Sequence, residues 1–163
     1  YEIHERLVGS EMCIRDSIVM LQGCSTRIPE LLDEIKEYVE KKQLKNAVCF
    51  YGTTNEVPQI LQAFDCFLLP SFYEGLPVVG VEVQASGLPF VLTDTITKEV
   101  DFSDLVNYLS LEDEPEKWAD CVIKCSELKR NRSKYPDIVK EAGFDISEET
   151  KKLTSLYEKY AKR

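Results

Sequence analysis

The sequence predicts an α/β fold, a Rossmann-like parallel sheet with helices on both faces. Short apolar runs alternate along the chain with segments whose apolar residues repeat at helical spacing. Most of the apolar runs have no polar alternate positions, which indicates strands that are buried on both faces. Glycine and proline stand at the ends of several of these segments. Regular alternation of buried strands and amphipathic helices is typical of a parallel sheet covered by helices.

The first half of this pattern runs from residue 18 to residue 64. Residues 18–21 form an apolar run that ends before Gly23, which predicts a buried strand. Residues 29–42 carry apolar side chains at helical spacing and predict a helix. A second strand at residues 48–50 and a second helix at residues 57–64 follow.

The second half contains three more predicted strands, at residues 67–69, 90–93 and 106–109. A helix at residues 77–86 joins the first two of them. Pro77 suits its first turn because the missing N–H would have no partner there, and Gly87 suits the left-handed position after its last turn. Two further helices are predicted at residues 114–130 and 148–161, with a polar connector at residues 131–136.

The loop from Ser71 to Leu76 therefore lies between the C-terminal end of a strand and the N-terminal end of a helix. In an open α/β sheet, ligands bind at this edge. The start of the helix also presents free N–H groups and the positive end of its dipole to an anion.

Two carboxylates accompany this predicted anion site. Glu74 lies in the loop and Glu82 follows eight residues later, about 12 Å along a helix. Ionised carboxylates accept hydrogen bonds from hydroxyl groups, so a ligand that is part anion and part polyol, such as a nucleotide-sugar, would suit both features. The alternative is that two glutamates at this spacing occur by chance, and that Glu74 is only a favourable charge near a helix start.

The complete string of residues carries more information than the spacing. Glu74-Gly75-Leu76-Pro77, Glu82 and the turn Ser86-Gly87-Leu88-Pro89 together resemble the donor-binding signature of GT-B glycosyltransferases of the retaining family 4 type. Residues 48–52 and 57–65 are similar to the segments that precede this signature in the family. Residues 93–100 and 109–111 are similar to those of its bacterial capsule and exopolysaccharide branch.

The resemblance covers residues 18–163 and implies the C-terminal, nucleotide-sugar-binding domain of a GT-B enzyme. It implies transfer of a sugar from a nucleotide-sugar donor, UDP-linked, to a glycan or lipid-linked acceptor in cell-surface polysaccharide synthesis. The N-terminal acceptor domain and the basic residues that meet the diphosphate would lie upstream of this region. We therefore expect residues 18–163 to be inactive by themselves, and a non-catalytic nucleotide-sugar-binding module is the alternative.

The resemblance also assigns roles to residues. Glu74, the candidate catalytic residue, would hold hexose hydroxyls and Glu82 would hold the ribose. The backbone from Gly75 to Val79 would face the diphosphate. The full set of candidate donor-binding residues is Gly23, Gly52, Thr53, Ser71, Glu74, Gly75, Leu76, Val78, Val79 and Glu82.

Structural alternatives stay open for several of these residues. Gly23 and Gly52 could be plain turn glycines, and Thr54 or Asn55 could cap the following helix. Ser71 could cap a loop. Tyr73 is expected to pack on the surface instead of stacking on a ligand.

No cofactor and no metal are expected. GT-B enzymes do not need the Asp-x-Asp metal motif, and this sequence has none. Cys121 and Cys125 lie one helical turn apart, but the sequence offers no second cysteine pair or histidine to complete a metal site. The scattered cysteines, of which Cys49 and Cys66 lie in or beside apolar runs, suit small buried residues in a reducing cytoplasm.

Residues 1–17 resemble the translation of a transposon-type sequencing adapter, and we exclude them from the fold prediction. A short native strand or a weakly amphipathic segment is the alternative. The exclusion removes the only histidine, His4, and with it Ser-His and Cys-His catalytic pairs.

The net charge of −9 argues against nucleic acid as a partner, because phosphate contacts need a basic surface. No apolar run approaches the roughly 20 residues that span a bilayer. We expect a cytoplasmic protein whose upstream domain could associate with the inner face of the plasma membrane. A phospho-receiver domain is disfavoured because no acidic pair follows the first predicted strand.

Overall fold

The computed structural model describes residues 18–21 and 29–161. The adapter-like residues 1–17 and the candidate Gly23 lie outside the described residues. The chain divides into two compact units, and the boundary in the sequence lies between Ala63 and Phe64.

Among the described residues, the first unit contains two strands and two helices. Their bounds are β1 (Ile18–Leu21), α1 (Pro29–Lys41), β2 (Val48–Gly52) and α2 (Val57–Gln62). The two strands pair in parallel, with Ile18 opposite Val48 and an irregularity between Met20 and Leu21. All four predicted elements of this unit are confirmed within two residues at each end.

The second unit is built on three parallel strands, β3 (Phe67–Leu69), β4 (Phe90–Thr93) and β5 (Val106–Leu109), in that spatial order. Each matches its predicted bounds. The central strand β4 is buried at all four positions, as expected for a strand that is covered on both faces. The Phe67 and Phe90 rings meet edge to face across the sheet, with centroids 5.7 Å apart.

Four helices belong to this unit, α3 (Val78–Ala85), α4 (Pro115–Glu127), α5 (Tyr135–Val139) and α6 (Ile146–Ala161). Short 3₁₀ turns form at Lys98–Val100 and Arg132–Lys134, and Lys140–Phe144 forms a π-type turn that is interrupted at Gly143, where φ is +92°.

Helix α3 lies very close to the central strand. A Cβ atom on Gly80 would come within 2.7 Å of Val100 Cγ2 and 2.9 Å of Phe90 Cε1, so only glycine allows this approach. The helix that carries Glu82 is thereby held against β4 and against the 3₁₀ turn that contains Val100.

The prediction of a connector at residues 131–136 is wrong. This polar stretch forms a 3₁₀ turn and the start of α5, and Tyr135 is only 1% exposed. One aromatic side chain, followed by the buried Val139, is enough to fix the segment to the core. The prediction failed because the segment is polar apart from this one aromatic residue, and a polar composition is typical of a loop.

In the second unit, two predicted helix ends differ from the structure by two residues or more. Helix α4 ends at Glu127 because Leu128 adopts an extended conformation. Helix α6 begins at Ile146, two residues before the predicted start. There, Asp145 Oδ1 accepts hydrogen bonds from the backbone N–H groups of Ser147 and Glu148, which satisfies two donors of the first turn.

Candidate functional site: a loop at the carboxyl edge of the sheet

The candidate loop lies where the sequence predicted it. Strand β3 ends at Leu69, helix α3 begins at Val78, and the residues between them form irregular backbone. Because β3, β4 and β5 are parallel, this loop lies at the edge formed by their carboxyl ends. The geometry therefore presents the loop at the edge of the sheet where α/β folds bind ligands.

The start of helix α3 is suited to an anion. Pro77 is the N-cap residue, with φ −70° and ψ 112°, so the helix begins one residue after the predicted position. No side chain caps the helix start, and its first turn contains no acidic residue. The positive end of the helix dipole is therefore not offset by a side chain of the helix itself.

The end of helix α3 has the predicted left-handed glycine. Gly87 has φ +64°, and the backbone N–H of Leu88 donates to the Val83 carbonyl at 3.1 Å. The backbone N–H and the hydroxyl of Ser86 both donate to the Glu82 carbonyl, at 3.0 and 2.9 Å. These bonds satisfy carbonyl groups of the last turn and fix the direction in which the chain enters β4.

The two carboxylates lie on different parts of the site. Glu74 lies in the loop before the helix and Glu82 lies in the second turn of α3, and both side chains are half-buried. Within residues 18–21 and 29–161, neither carboxylate forms an ion pair or a side-chain hydrogen bond. Both are therefore available to accept hydrogen bonds from a ligand.

Much of the segment from Phe72 to the start of α3 is exposed. Phe72, Tyr73 and Val78 are 84%, 82% and 71% exposed. The expectation that Tyr73 packs on the surface is wrong, because this residue is largely exposed to solvent. A Cβ atom on Gly75 would meet nothing within 4 Å, so the backbone there is open to an approaching group. Leu76 is 41% exposed and Val79 is half-buried.

Ser71 contributes through its backbone. Its carbonyl accepts a hydrogen bond from Thr93 Oγ1 at 2.6 Å, and Thr93 is the last residue of β4. This contact joins the loop after β3 to the central strand.

A buried glutamine was not found from the sequence. Gln84, on α3, is fully buried, and its Nε2 donates to the carbonyls of Gly80 at 3.0 Å and Val100 at 2.7 Å. Its Oε1 accepts a hydrogen bond from the Ser103 hydroxyl at 2.6 Å. Both N–H donors of the amide and one of the two acceptor positions of its oxygen are therefore used, as is usual for a buried polar group. The sequence feature that could have indicated this buried residue is a single amide side chain between the apolar Val83 and Ala85.

Gly52 and Thr53 belong to the first unit. Gly52 ends β2 with φ +80°, a conformation that favours glycine, and Thr53 is exposed. The Thr54 hydroxyl accepts a hydrogen bond from the backbone N–H of Glu56 at 3.0 Å. Glu56 is the N-cap of α2 and no side chain caps that helix, so the expected cap at Thr54 or Asn55 is wrong.

The cysteines of the second unit lie in an apolar environment. Burial raises the pKa of the Cys66 thiol to about 12, with smaller contributions from Cys125 and Cys121, and burial also raises the pKa of the Cys125 thiol. Cys49 in the first unit is exposed, so the expectation that it is buried is wrong. Among the described residues, no group of three potential ligands could hold a metal ion.

The part of the chain that the structure describes contains no helix that is long and apolar enough to cross a membrane.

Comparison with known proteins agrees with this geometry. The family model for group 1 glycosyl transferases matches residues 19–127, more than half of the chain. The chain therefore belongs to the group 1 glycosyl transferases, and the predicted glycosyltransferase family is confirmed.

Among its relatives, EpsF of Bacillus subtilis, which carries the name of a glycosyltransferase, is 36% identical over 129 residues. The match covers 78% of this chain and 34% of EpsF. An α-1,3-galactosyltransferase of Escherichia coli, named for UDP-Gal and α-D-GlcNAc-diphosphoundecaprenol, is 35% identical over 82 residues, which are 50% of this chain and 20% of that enzyme. This chain therefore spans about a third or less of the length of these relatives.

The solved structure of HepE from Anabaena, in complex with UDP, superimposes with a TM-score of 0.66 at 18% identity. The superposition covers 88% of this chain and 41% of HepE. At this level of identity the likeness shows the fold, and the predicted α/β fold of GT-B type is confirmed.

Proposed function

We propose that this chain supplies the donor-binding part of a glycosyltransferase that takes a sugar from a UDP-linked donor and transfers it to a glycan or lipid-linked acceptor in cell-surface polysaccharide synthesis. The observation that carries the proposal is the uncapped start of α3, which lies between two carboxylates that form no ion pair or side-chain hydrogen bond within the described residues. One edge of the sheet thus offers an anion site beside two hydroxyl-binding groups.

In this proposal the diphosphate approaches the start of α3 over Gly75, where no side chain obstructs it. Glu82, one turn further along the helix, accepts from the ribose hydroxyls. Glu74 in the loop accepts from the hexose hydroxyls. The names of the E. coli relative and of the HepE complex, which include UDP-Gal and UDP, support a uridine nucleotide.

The proposed chemistry is largely electrostatic. As the bond between the sugar and the diphosphate breaks, negative charge grows on the leaving diphosphate, and oriented backbone N–H groups at the helix start stabilise it. We propose that no metal ion is required and that the sugar retains its configuration, as the resemblance to family 4 implies. Residues 70–82 contain no lysine or arginine, so the cationic groups for the leaving diphosphate must come from elsewhere. We therefore propose that this chain alone binds the donor without transferring the sugar.

The test is titration calorimetry of the purified chain with UDP, a panel of UDP-hexoses and, as a control, AMP, each with and without EDTA. Binding of UDP and of one UDP-hexose, unaffected by EDTA, is the expected result. Absence of UDP binding, or equal binding of AMP, would contradict the proposed donor site. Glycosyl transfer by this chain alone would contradict its proposed inactivity, and binding by a full-length protein without any transfer would favour the non-catalytic module.

A further inference from the structure

A buried hydroxyl of the central strand holds the candidate donor loop. Thr93 is fully buried, and its Oγ1 donates to the Ser71 carbonyl at 2.6 Å. Thr95 Oγ1 lies 3.1 Å from Thr93 Oγ1. A hydroxyl group has one proton to donate, and Thr93 gives its proton to Ser71, so Thr95 is the donor in the second bond. Thr95 therefore donates to Thr93, and Thr93 donates to the Ser71 carbonyl in the loop.

The position of this contact gives it a role beyond packing. Ser71 precedes Glu74 by three residues and the start of α3 by seven residues. Strand β4, which carries Thr93, is buried throughout and pairs with strands on both sides. The loop is thus attached at its beginning to the most buried strand of the unit and at its end to α3.

The residues between these two attachments have few other restraints. Phe72, Tyr73 and Gly75 are exposed, and no side-chain hydrogen bond of Glu74 fixes its place within the described residues. Pro77, just before the helix, is buried, and the bond from the Thr93 hydroxyl is the side-chain hydrogen bond that the described structure shows to residues 71–77.

We propose that Thr93 is a positioning residue for donor binding, and this inference rests on the proposed function. Its hydroxyl does not contact the ligand. It holds the Ser71 carbonyl so that Glu74 and the backbone at Gly75 face a donor before the donor arrives, which lowers the cost of ordering the loop on binding.

Two variants of the full 163-residue chain separate this role from simple packing. Thr93→Val keeps the shape of the side chain and removes the hydroxyl, whereas Thr93→Ser keeps the hydroxyl and removes a methyl group. Amide hydrogen exchange of a peptide covering residues 71–77 is measured without ligand, and UDP-hexose affinity is measured by calorimetry. Urea unfolding of each variant identifies conditions in which all three proteins are folded.

We expect Thr93→Val to speed exchange in this peptide and to raise the Kd for the UDP-hexose about fivefold, because binding must then supply the ordering of the loop. Thr93→Ser should stay within about twofold of the wild type in both measurements, although loss of its methyl group lowers stability. Loop exchange and donor affinity that are unchanged in Thr93→Val would overturn the positioning role, as would equal loss of affinity in both variants. Failure of the wild-type chain to bind any UDP-hexose is a different result, because it would overturn the proposed function together with this role.

Discussion

Gly87 leaves the space that the Tyr135 ring occupies. A Cβ atom on Gly87 would lie 2.8 Å from Tyr135 Cδ2 and 2.7 Å from Arg132 Cβ. The turn that ends α3 and the start of α5 therefore fit together only because residue 87 has no side chain. This contact joins the helix that carries Glu82 to a segment almost fifty residues away in the sequence.

Gly87→Ala should lower the free energy of unfolding by about 3 kcal/mol, since alanine is strained at φ +64° and its methyl group collides with Tyr135 and the Arg132 backbone. Urea unfolding measures the effect. The matched control is Gly75→Ala, where a methyl group would meet no atom within 4 Å. Equal stability of the two variants would show that the close contact at Gly87 does not contribute to folding.

The two glutamates should affect different parts of the donor. If Glu82 holds the ribose, Glu82→Gln weakens the binding of UDP and of UDP-hexose alike, by about tenfold for the loss of a charge-assisted hydrogen bond. If Glu74 holds the hexose, Glu74→Gln weakens UDP-hexose binding and leaves UDP binding unchanged.

Calorimetry with both ligands distinguishes these effects, and Glu127→Gln, on the exposed side of α4, is the control. The assignment of Glu74 to the hexose would be wrong if Glu74→Gln reduced UDP affinity as much as UDP-hexose affinity.

Gln84→Met should destabilise the protein by about 2 kcal/mol. The variant keeps the length of the side chain but leaves the Val100 carbonyl and the Ser103 hydroxyl without their buried partner. Gln59→Met, at an exposed position on α2, should change stability little. Thermal or urea unfolding measures the free energy of unfolding of both variants. A Gln84→Met variant as stable as the wild type would indicate that the hydrogen bonds of Gln84 add no net stability.

Asp104 should contribute to the acid sensitivity of the fold. The Tyr135 hydroxyl donates to Asp104 Oδ1 at 2.8 Å, and this bond, with the charges of Lys134 and Arg130, lowers the pKa of the Asp104 carboxyl. A carboxyl whose pKa is lower in the folded state stabilises the protein above its unfolded pKa, about 3.9, and this contribution is lost as the pH falls through the folded pKa.

Asp104→Asn should therefore show a smaller loss of stability than the wild type between about pH 5 and pH 2. The effect is modest because the side chain is largely exposed. Tyr135→Phe removes the main cause of the lowered pKa and should reduce the acid dependence in the same direction. An unchanged acid profile in Asp104→Asn would assign the acid dependence to other carboxyls.

The rate at which a cysteine thiol is alkylated should be lower for a buried cysteine than for an exposed one. The thiolate is the reactive form, and burial raises the pKa of Cys66 to about 12, so alkylation of Cys66 at pH 8 should be far slower than that of the exposed Cys49. Mass spectrometry of peptides after timed treatment with iodoacetamide measures both rates. The difference should disappear in urea, and equal rates in the folded protein would mean that Cys66 is accessible.

The sequence predicted the strands well because most of them are short, uninterrupted apolar runs between turn residues. Strand β4, for example, follows a glycine and a proline and is buried at every position, so its sequence and its environment agree. The candidate loop was predicted for the same reason, since strand, proline and glycine signals bracket it.

Other features depend on contacts between distant residues, which periodicity does not reveal. Helix α5 exists because Tyr135 meets Gly87 and Asp104, and neither partner is close to it in the sequence. The role of Gln84 likewise depends on Val100 and Ser103. The early start of α6 could have been found, because Asp145 is a typical capping residue.

The close contact between Gly80 and Val100 limits how α3 can respond to a ligand. Gln84 donates a hydrogen bond to the Val100 carbonyl, and no space remains between the helix and residue 100. The helix and the 3₁₀ turn of residues 98–100 therefore move together as one rigid unit. A displacement of α3 along its axis must carry this turn with it. Lys98, whose ammonium group lies 2.9 Å from the centre of the Tyr108 ring, would then lose or regain that contact. A movement of α3 would thus change a contact on β5, the strand that does not adjoin β3.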